Sequence, residues 1–131
     1  MDGAEKKRSV LIVDDETVNL RILAHILEPE YAVYTAKNGQ TALKIVQEAM
    51  PDLILLDIVM PDMDGYEVFS ILQASDATRE IPVIFITGLS ISDDRKKRPG
   101  LQAADYISKP FSINAIRERV RSRIQSAGSS A

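Results

Sequence analysis

Four short runs of continuous apolar residues, 10–13, 53–56, 83–86 and 106–107, lead at their downstream ends into Asp14 and Asp15, Asp57, Thr87 and Lys109. Runs this short and this uniformly apolar read as strands buried on both faces of a parallel sheet. In an open parallel α/β sheet the carboxyl ends of the strands share one edge, and ligands bind in the crevice beside it. Three carboxylates, one hydroxyl and one ammonium are thereby expected to converge on a single pocket.

The intervening segments carry helical spacing. Residues 16–27 place Leu20, Ile22, Leu23, Ile26 and Leu27 on a broad apolar face that stops before Pro29. Residues 32–36 form a short β-branched stretch. Asn38-Gly39 then turns into a second helix with Ala42, Leu43, Ile45, Val46 and Ala49 on its face, ended by Pro51. Asp64-Gly65 opens a third helix through Val68, Phe69, Ile71 and Leu72, and Pro82 introduces the fourth strand. The last helix begins at Ser112 as N-cap and shows Ile113, Ile116, Val120 and Ile124 on one side, with Arg117, Arg119, Arg121 and Arg123 largely outside it.

This alternation predicts an α/β fold, a doubly wound five-stranded parallel sheet with right-handed crossovers. One segment resists. The fourth helix has to cross back between Thr87 and Tyr106, yet Asp93-Asp94-Arg95-Lys96-Lys97-Arg98 is wholly polar and Pro99-Gly100 breaks a helix interior. A shortened or irregular fourth helix is expected there. The domain is expected over 9–125, after a flexible N-terminus at 1–8 and before a tail or linker stub at 126–131.

A chain of 131 residues, 45% apolar and 27% charged, suits one domain with one core. The formal net charge of −3 argues against a nucleic-acid surface, which needs a net basic face. Without cysteine there is neither a disulfide framework nor a thiolate metal site. No apolar stretch approaches the roughly 20 residues of a membrane span, and 1–8 lacks the apolar core of a signal peptide. A cytoplasmic protein is the expectation.

Three carboxylates a few ångströms apart repel one another and stay ionised together only with a cation among them. An all-oxygen set without His or Cys suits a hard ion, and Mg²⁺ fits best where a phosphate oxygen joins. A carboxylate beside a divalent cation, a Lys and a Thr hydroxyl has the charge neutralisation and positioning that in-line phosphoryl transfer requires. Taken singly, each residue has a plainer explanation: Asp14-Asp15-Glu16 could favour a helix N-terminus through the macrodipole, Asp57 could end a strand, Thr87 could be a β-former and Lys109 a solvated charge. Their joint appearance at strand ends favours a common function.

Val13-Asp14-Asp15-Glu16, Asp57-Ile58-Val59-Met60-Pro61-Asp62-Met63-Asp64-Gly65, Thr87-Gly88 and Lys109-Pro110-Phe111, in this order, resemble the receiver domain of two-component response regulators over nearly the whole chain. The resemblance implies the flavodoxin-like strand order 2-1-3-4-5. It implies that Asp57 is the phosphoacceptor, Asp15 a direct Mg²⁺ ligand, Asp14 an acidic partner that meets the metal through water, and Val59 a ligand through its backbone carbonyl. Thr87 corresponds to the switch hydroxyl, Lys109 to the phosphate-pairing cation, Tyr106 to the aromatic that swings inward on activation, and Pro110 to a proline preceded by a cis bond. The implied partners are a histidine kinase or histidine phosphotransfer protein, a C-terminal output domain or effector, and a second copy on phosphorylation. Such a protein is a phosphorylated switch that catalyses only its own phosphotransfer and dephosphorylation.

Gln102-Ala103-Ala104-Asp105 and Arg98-Pro99-Gly100 depart from the family's pattern, and they leave open an alternative: a receiver whose rewired output face serves as a docking module or phosphate sink. An aspartate-nucleophile phosphohydrolase needs a second Asp two residues after the nucleophile, where Val59 stands. The calcium-loop likeness of Asp62-Met63-Asp64-Gly65 lacks the remaining ligands and closing Glu. His25, the single histidine, reads as a surface or packing residue on the first helix. Val59 and Leu89, both apolar, would flank the phosphoryl group. The run 104–111 faintly resembles receivers joined to cyclic-dinucleotide signalling domains.

Overall fold

The computed structural model describes residues 7–88 and 105–129. The elements run β1 (Ser9–Val13), α1 (Thr17–Leu27), β2 (Ala32–Ala36), α2 (Gly39–Ala49), β3 (Leu53–Asp57), α3 (Gly65–Gln73), β4 (Val83–Thr87), β5 (Asp105–Ser108) and the C-terminal helix α4 (Ile113–Ser129). All strand pairs are parallel and the order is β2-β1-β3-β4-β5, the flavodoxin-like order expected. The helix expected between Thr87 and Tyr106 lies outside the described residues, as do Leu89 and the 95–100 segment on which the rewired-face alternative rested.

The central strands β1, β3 and β4 are buried on both faces because consecutive apolar side chains alternate between two cores, whereas the edge strand β2 is largely exposed. Leu11, Val13, Ile54, Leu56, Val83, Phe85 and Tyr106 meet α2 and α3 through Ala42, Val46, Val68 and Leu72. Val10, Ile12, Leu53, Leu55, Ile84, Ile86 and Ile107 meet α1 and α4 through Leu20, Leu23, Ile116 and Val120. At about 1.5–3 kcal/mol for each fully buried large apolar side chain, these two layers supply the main driving force for folding. Phe85 anchors the first layer, with ring centroids 5.3 Å from Tyr66, 5.4 Å from Phe69 and 5.2 Å from Tyr106.

The turn residues flanking the helices act as caps. Asn38 accepts from the Thr41 amide at 2.8 Å, and Asp64 and Glu67 form a reciprocal capping box. Ser112 Oγ accepts from the Ala115 amide at 3.0 Å, the expected cap of the last helix. That helix runs on through Ser129, past the tail expected from 126. A glycine in a final turn costs only about 1 kcal/mol relative to alanine, too little to stop it. The strands also exceed the apolar runs by a residue or two: Ser9, Asp57, Thr87 and Ser108 pair through their backbones, which the side-chain pattern does not register.

Candidate functional site

Strand register sets the site. Asp57 pairs with Ile86, and Thr87 pairs with Ser108, so Asp57, Thr87 and Lys109 leave three adjacent strands at nearly one level. Asp14 follows β1, and its amide donates to the Ala36 carbonyl at 3.1 Å, fixing the start of the loop between β1 and α1. The Lys109–Pro110 peptide is cis, as the resemblance implied, and the Lys109 amide donates to the Thr87 carbonyl at 2.8 Å.

The side chains converge as the sequence suggested. One oxygen from each of Asp14, Asp15 and Asp57 lies within 4.8 Å of the others. Lys109 Nζ stands 3.5 Å from Asp57 Oδ2 and 3.5 Å from Asp14 Oδ2. Asp14 and Asp57 are buried, at 1% and 5% exposure, while Asp15 is more open. Asp15, Glu16, Asp57, Val59, Gly88 and Lys109 line a cleft of about 390 Å³ above them. Thr87 is fully buried at the end of β4, next to cleft-lining Gly88.

Charge is unbalanced in this cluster. Burial, then the nearby Asp14 carboxylate, pushes the Asp57 carboxyl up to about 6, with Lys109 pulling the other way. Burial alone would lower Lys109, but the Asp57 and Asp14 carboxylates outweigh it and hold the ammonium above its ordinary range. The donor set is all oxygen and carries more negative charge than one ammonium offsets. It fits a small, hard divalent cation.

Tyr106 is buried at 4% exposure with its ring on Phe85, so it occupies an inward position. His25 is exposed on α1, away from the cleft lining. Two contributions escaped the sequence reading. Asn19, in the first turn of the helix that follows the acidic pair, donates to Asp14, while Glu16, already part of the motif quoted from the sequence, lines the cleft. Gly65, read only as a turn residue, packs against the backbone of Asp57 and Ile58.

The family model for the response regulator receiver domain matches residues 10–121. A probable cyclic di-GMP phosphodiesterase of Vibrio cholerae is 41% identical over 117 residues, which are 89% of this chain and 26% of that protein. The chain therefore spans about a quarter of that relative's length. The polar-differentiation response regulator DivK of Brucella anthropi is 37% identical over 123 residues, 92% of this chain and 98% of DivK. The crystal structure of a response regulator receiver domain protein from Methanospirillum hungatei superposes with a TM-score of 0.87 at 26% identity, covering 96% of this chain and all of that one. Strand order, the acid cluster at the strand ends and similarity along almost the entire length agree, and the chain belongs to the response regulator receiver domain family of two-component signalling.

Proposed function

We propose that Asp57 is the phosphoacceptor of this receiver and takes its phosphoryl group from a phosphohistidine on a partner histidine kinase or histidine phosphotransfer protein. Receiver domains as a family take phosphoryl groups from histidine kinases and bind Mg²⁺ at an acidic cluster. The observation that carries the reading is the meeting of Asp57 and Lys109 at 3.5 Å, beside two further carboxylates, at the floor of an open cleft.

A carboxylate oxygen of Asp57 attacks phosphorus, the P–N bond breaks, and the imidazole leaves with its electron pair and takes up a proton. Mg²⁺ held by Asp14, Asp15, Asp57 and the Val59 carbonyl would neutralise charge on the transferring phosphoryl oxygens. Lys109, 3.5 Å from Asp57, supplies a fixed positive charge and pairs with the phosphoryl group once it is on Asp57. Burial and the Asp14 carboxylate raise the free energy of ionised Asp57, a charge that a bound cation would offset. The Thr87 hydroxyl reorganises toward the new acceptor, and Tyr106, on the same face of the sheet, passes the change to the surface around β5 and α4.

Among the described residues no helix is long and apolar enough to cross a membrane. The output is a following domain or a separate effector. The phosphodiesterase relative favours a cyclic-dinucleotide signalling protein for the first case, and DivK matches the second.

The test is intact mass after incubation with acetyl phosphate, with and without Mg²⁺, for the native chain and Asp57→Asn. A Mg²⁺-dependent gain of one phosphoryl group, lost in Asp57→Asn, is expected. No gain in the native chain under either condition would reject the reading.

A further inference from the structure

Asn19, the third residue of α1, has no part in the chemistry above, yet it reaches the acidic cluster through Asp14 and Glu16. Its side-chain nitrogen donates to Asp14 Oδ2 at 3.2 Å and to Glu16 Oε1 at 2.8 Å. Both partners are carboxylate oxygens, which only accept, so the amide must turn its NH₂ toward them and spend one N–H on each.

Asp14 is nearly sealed from water, so its carboxylate depends on protein donors. Oδ1 accepts from the Glu16 backbone amide at 2.9 Å. Oδ2 is shared by Asn19 at 3.2 Å and by the Lys109 ammonium at 3.5 Å, the two side-chain donors it has among the described residues. The same ammonium is 3.5 Å from Asp57. Without Asn19, a buried carboxylate oxygen would be left to one cation, and that cation would be drawn toward Asp14 and away from Asp57.

We propose that Asn19 is a positioning residue for the metal end of the cleft, spanning Asp14 and Glu16 so that Asp14 faces the cation site and Lys109 stays with Asp57. This rests on the reading of the cleft as a Mg²⁺-dependent phosphoacceptor site. A neutral donor suits the task better than a second ammonium, because it fixes the orientation of Asp14 without cancelling the negative charge a cation needs. By tying down Glu16 Oε1, the same amide sets the place of a fourth carboxylate at the cleft rim, limiting its freedom to compete for the ion.

The test is Asn19→Leu, close in size and unable to donate. Calorimetric titration with MgCl₂ is expected to show binding about tenfold weaker than in the native chain, the lower end of the loss typical when a ligand's outer partner is removed. In acetyl phosphate reactions the Mg²⁺ concentration for half-maximal rate is expected to rise by a similar factor, with the rate at saturating Mg²⁺ retained. Unchanged Mg²⁺ affinity in Asn19→Leu would overturn the proposal alone. So would a lower saturating rate with an unchanged Mg²⁺ requirement, the signature of a general distortion. A native chain that binds no Mg²⁺ would overturn it together with the reading beneath it.

Discussion

Gly65 sits against the end of β3 so tightly that a β-carbon on it would lie 2.5 Å from the Asp57 carbonyl oxygen and 2.9 Å from the Ile58 α-carbon. Its amide donates to the Ile58 carbonyl at 2.8 Å, locking the first turn of α3 to the residue after Asp57. The constraint is one of space, since no described glycine has a positive φ. Gly65→Ala is therefore expected to lower stability by about 1–3 kcal/mol, the usual cost of overpacking a close-fitted site. It should also slow phosphorylation of Asp57. Denaturant melts and acetyl phosphate kinetics check both, and native values for the two would show that the backbone yields freely.

The raised Asp57 carboxyl gives the metal-free chain a characteristic pH dependence. The group ionises near pH 4 when unfolded and at about 6 when folded, so the folded state favours the proton. The stability this contributes is complete below pH 4 and is lost as pH rises through 6. The gap is worth at most about 3 kcal/mol, and less where solvent reaches the cleft. Thermal melts in EDTA are expected to show a loss of about 1–3 kcal/mol across this window. In Asp57→Asn the loss disappears and Tm at pH 7 rises. A native stability that climbs between pH 4 and 6 in step with that of Asp57→Asn would contradict the account.

Lys109 is the cation that opposes this shift. Removing it in Lys109→Met should carry the Asp57 midpoint above about 6 in metal-free protein, followed through the carboxyl ¹³C resonance. A midpoint that stays or falls would mean that Lys109 does not act on Asp57 in solution.

Val59 is 61% exposed and lines the cleft beside Asp57, where its apolar side chain offers nothing to orient an attacking water. The phosphoaspartate is expected to persist for many minutes without a phosphatase. Val59→Asn should shorten its life about fivefold, the rate equivalent of one hydrogen bond of about 1 kcal/mol. Decay of the native phosphoprotein within seconds, measured by intact mass against time, would sink this expectation.

Much of the fold was legible because four of the five parallel strands leave a continuous apolar signature, and because the polar residues that follow these runs are together best explained by a shared edge. The positions of Asp14, Asp15, Asp57 and Lys109 followed from that alone. Tyr106 did not. On a strand of four residues nothing local distinguishes an inward from a partly exposed aromatic, and its burial depends on Phe85 across the β4–β5 ladder. Asn19 was passed over for a related reason. Helical periodicity assigns it to the polar face of α1, and only the fold of the loop before it turns that part of the face toward the acids. Gly65 escaped because a glycine after aspartate already has a sufficient explanation as a turn.

The hydrogen bond from the Lys109 amide to the Thr87 carbonyl joins the ends of β4 and β5 like a pin through two adjacent leaves. The main chain that carries the hydroxyl is thereby coupled to the chain that carries the ammonium, so sliding one past the other costs this hydrogen bond, about 1 kcal/mol. On the proposed reading of the site, Thr87 would respond to a new group on Asp57 by rotating its side chain, or both strand ends would travel as one piece. In the second case the displacement would reach the turn that starts α4, and the push would arrive at the far helix without any element between them having to bend.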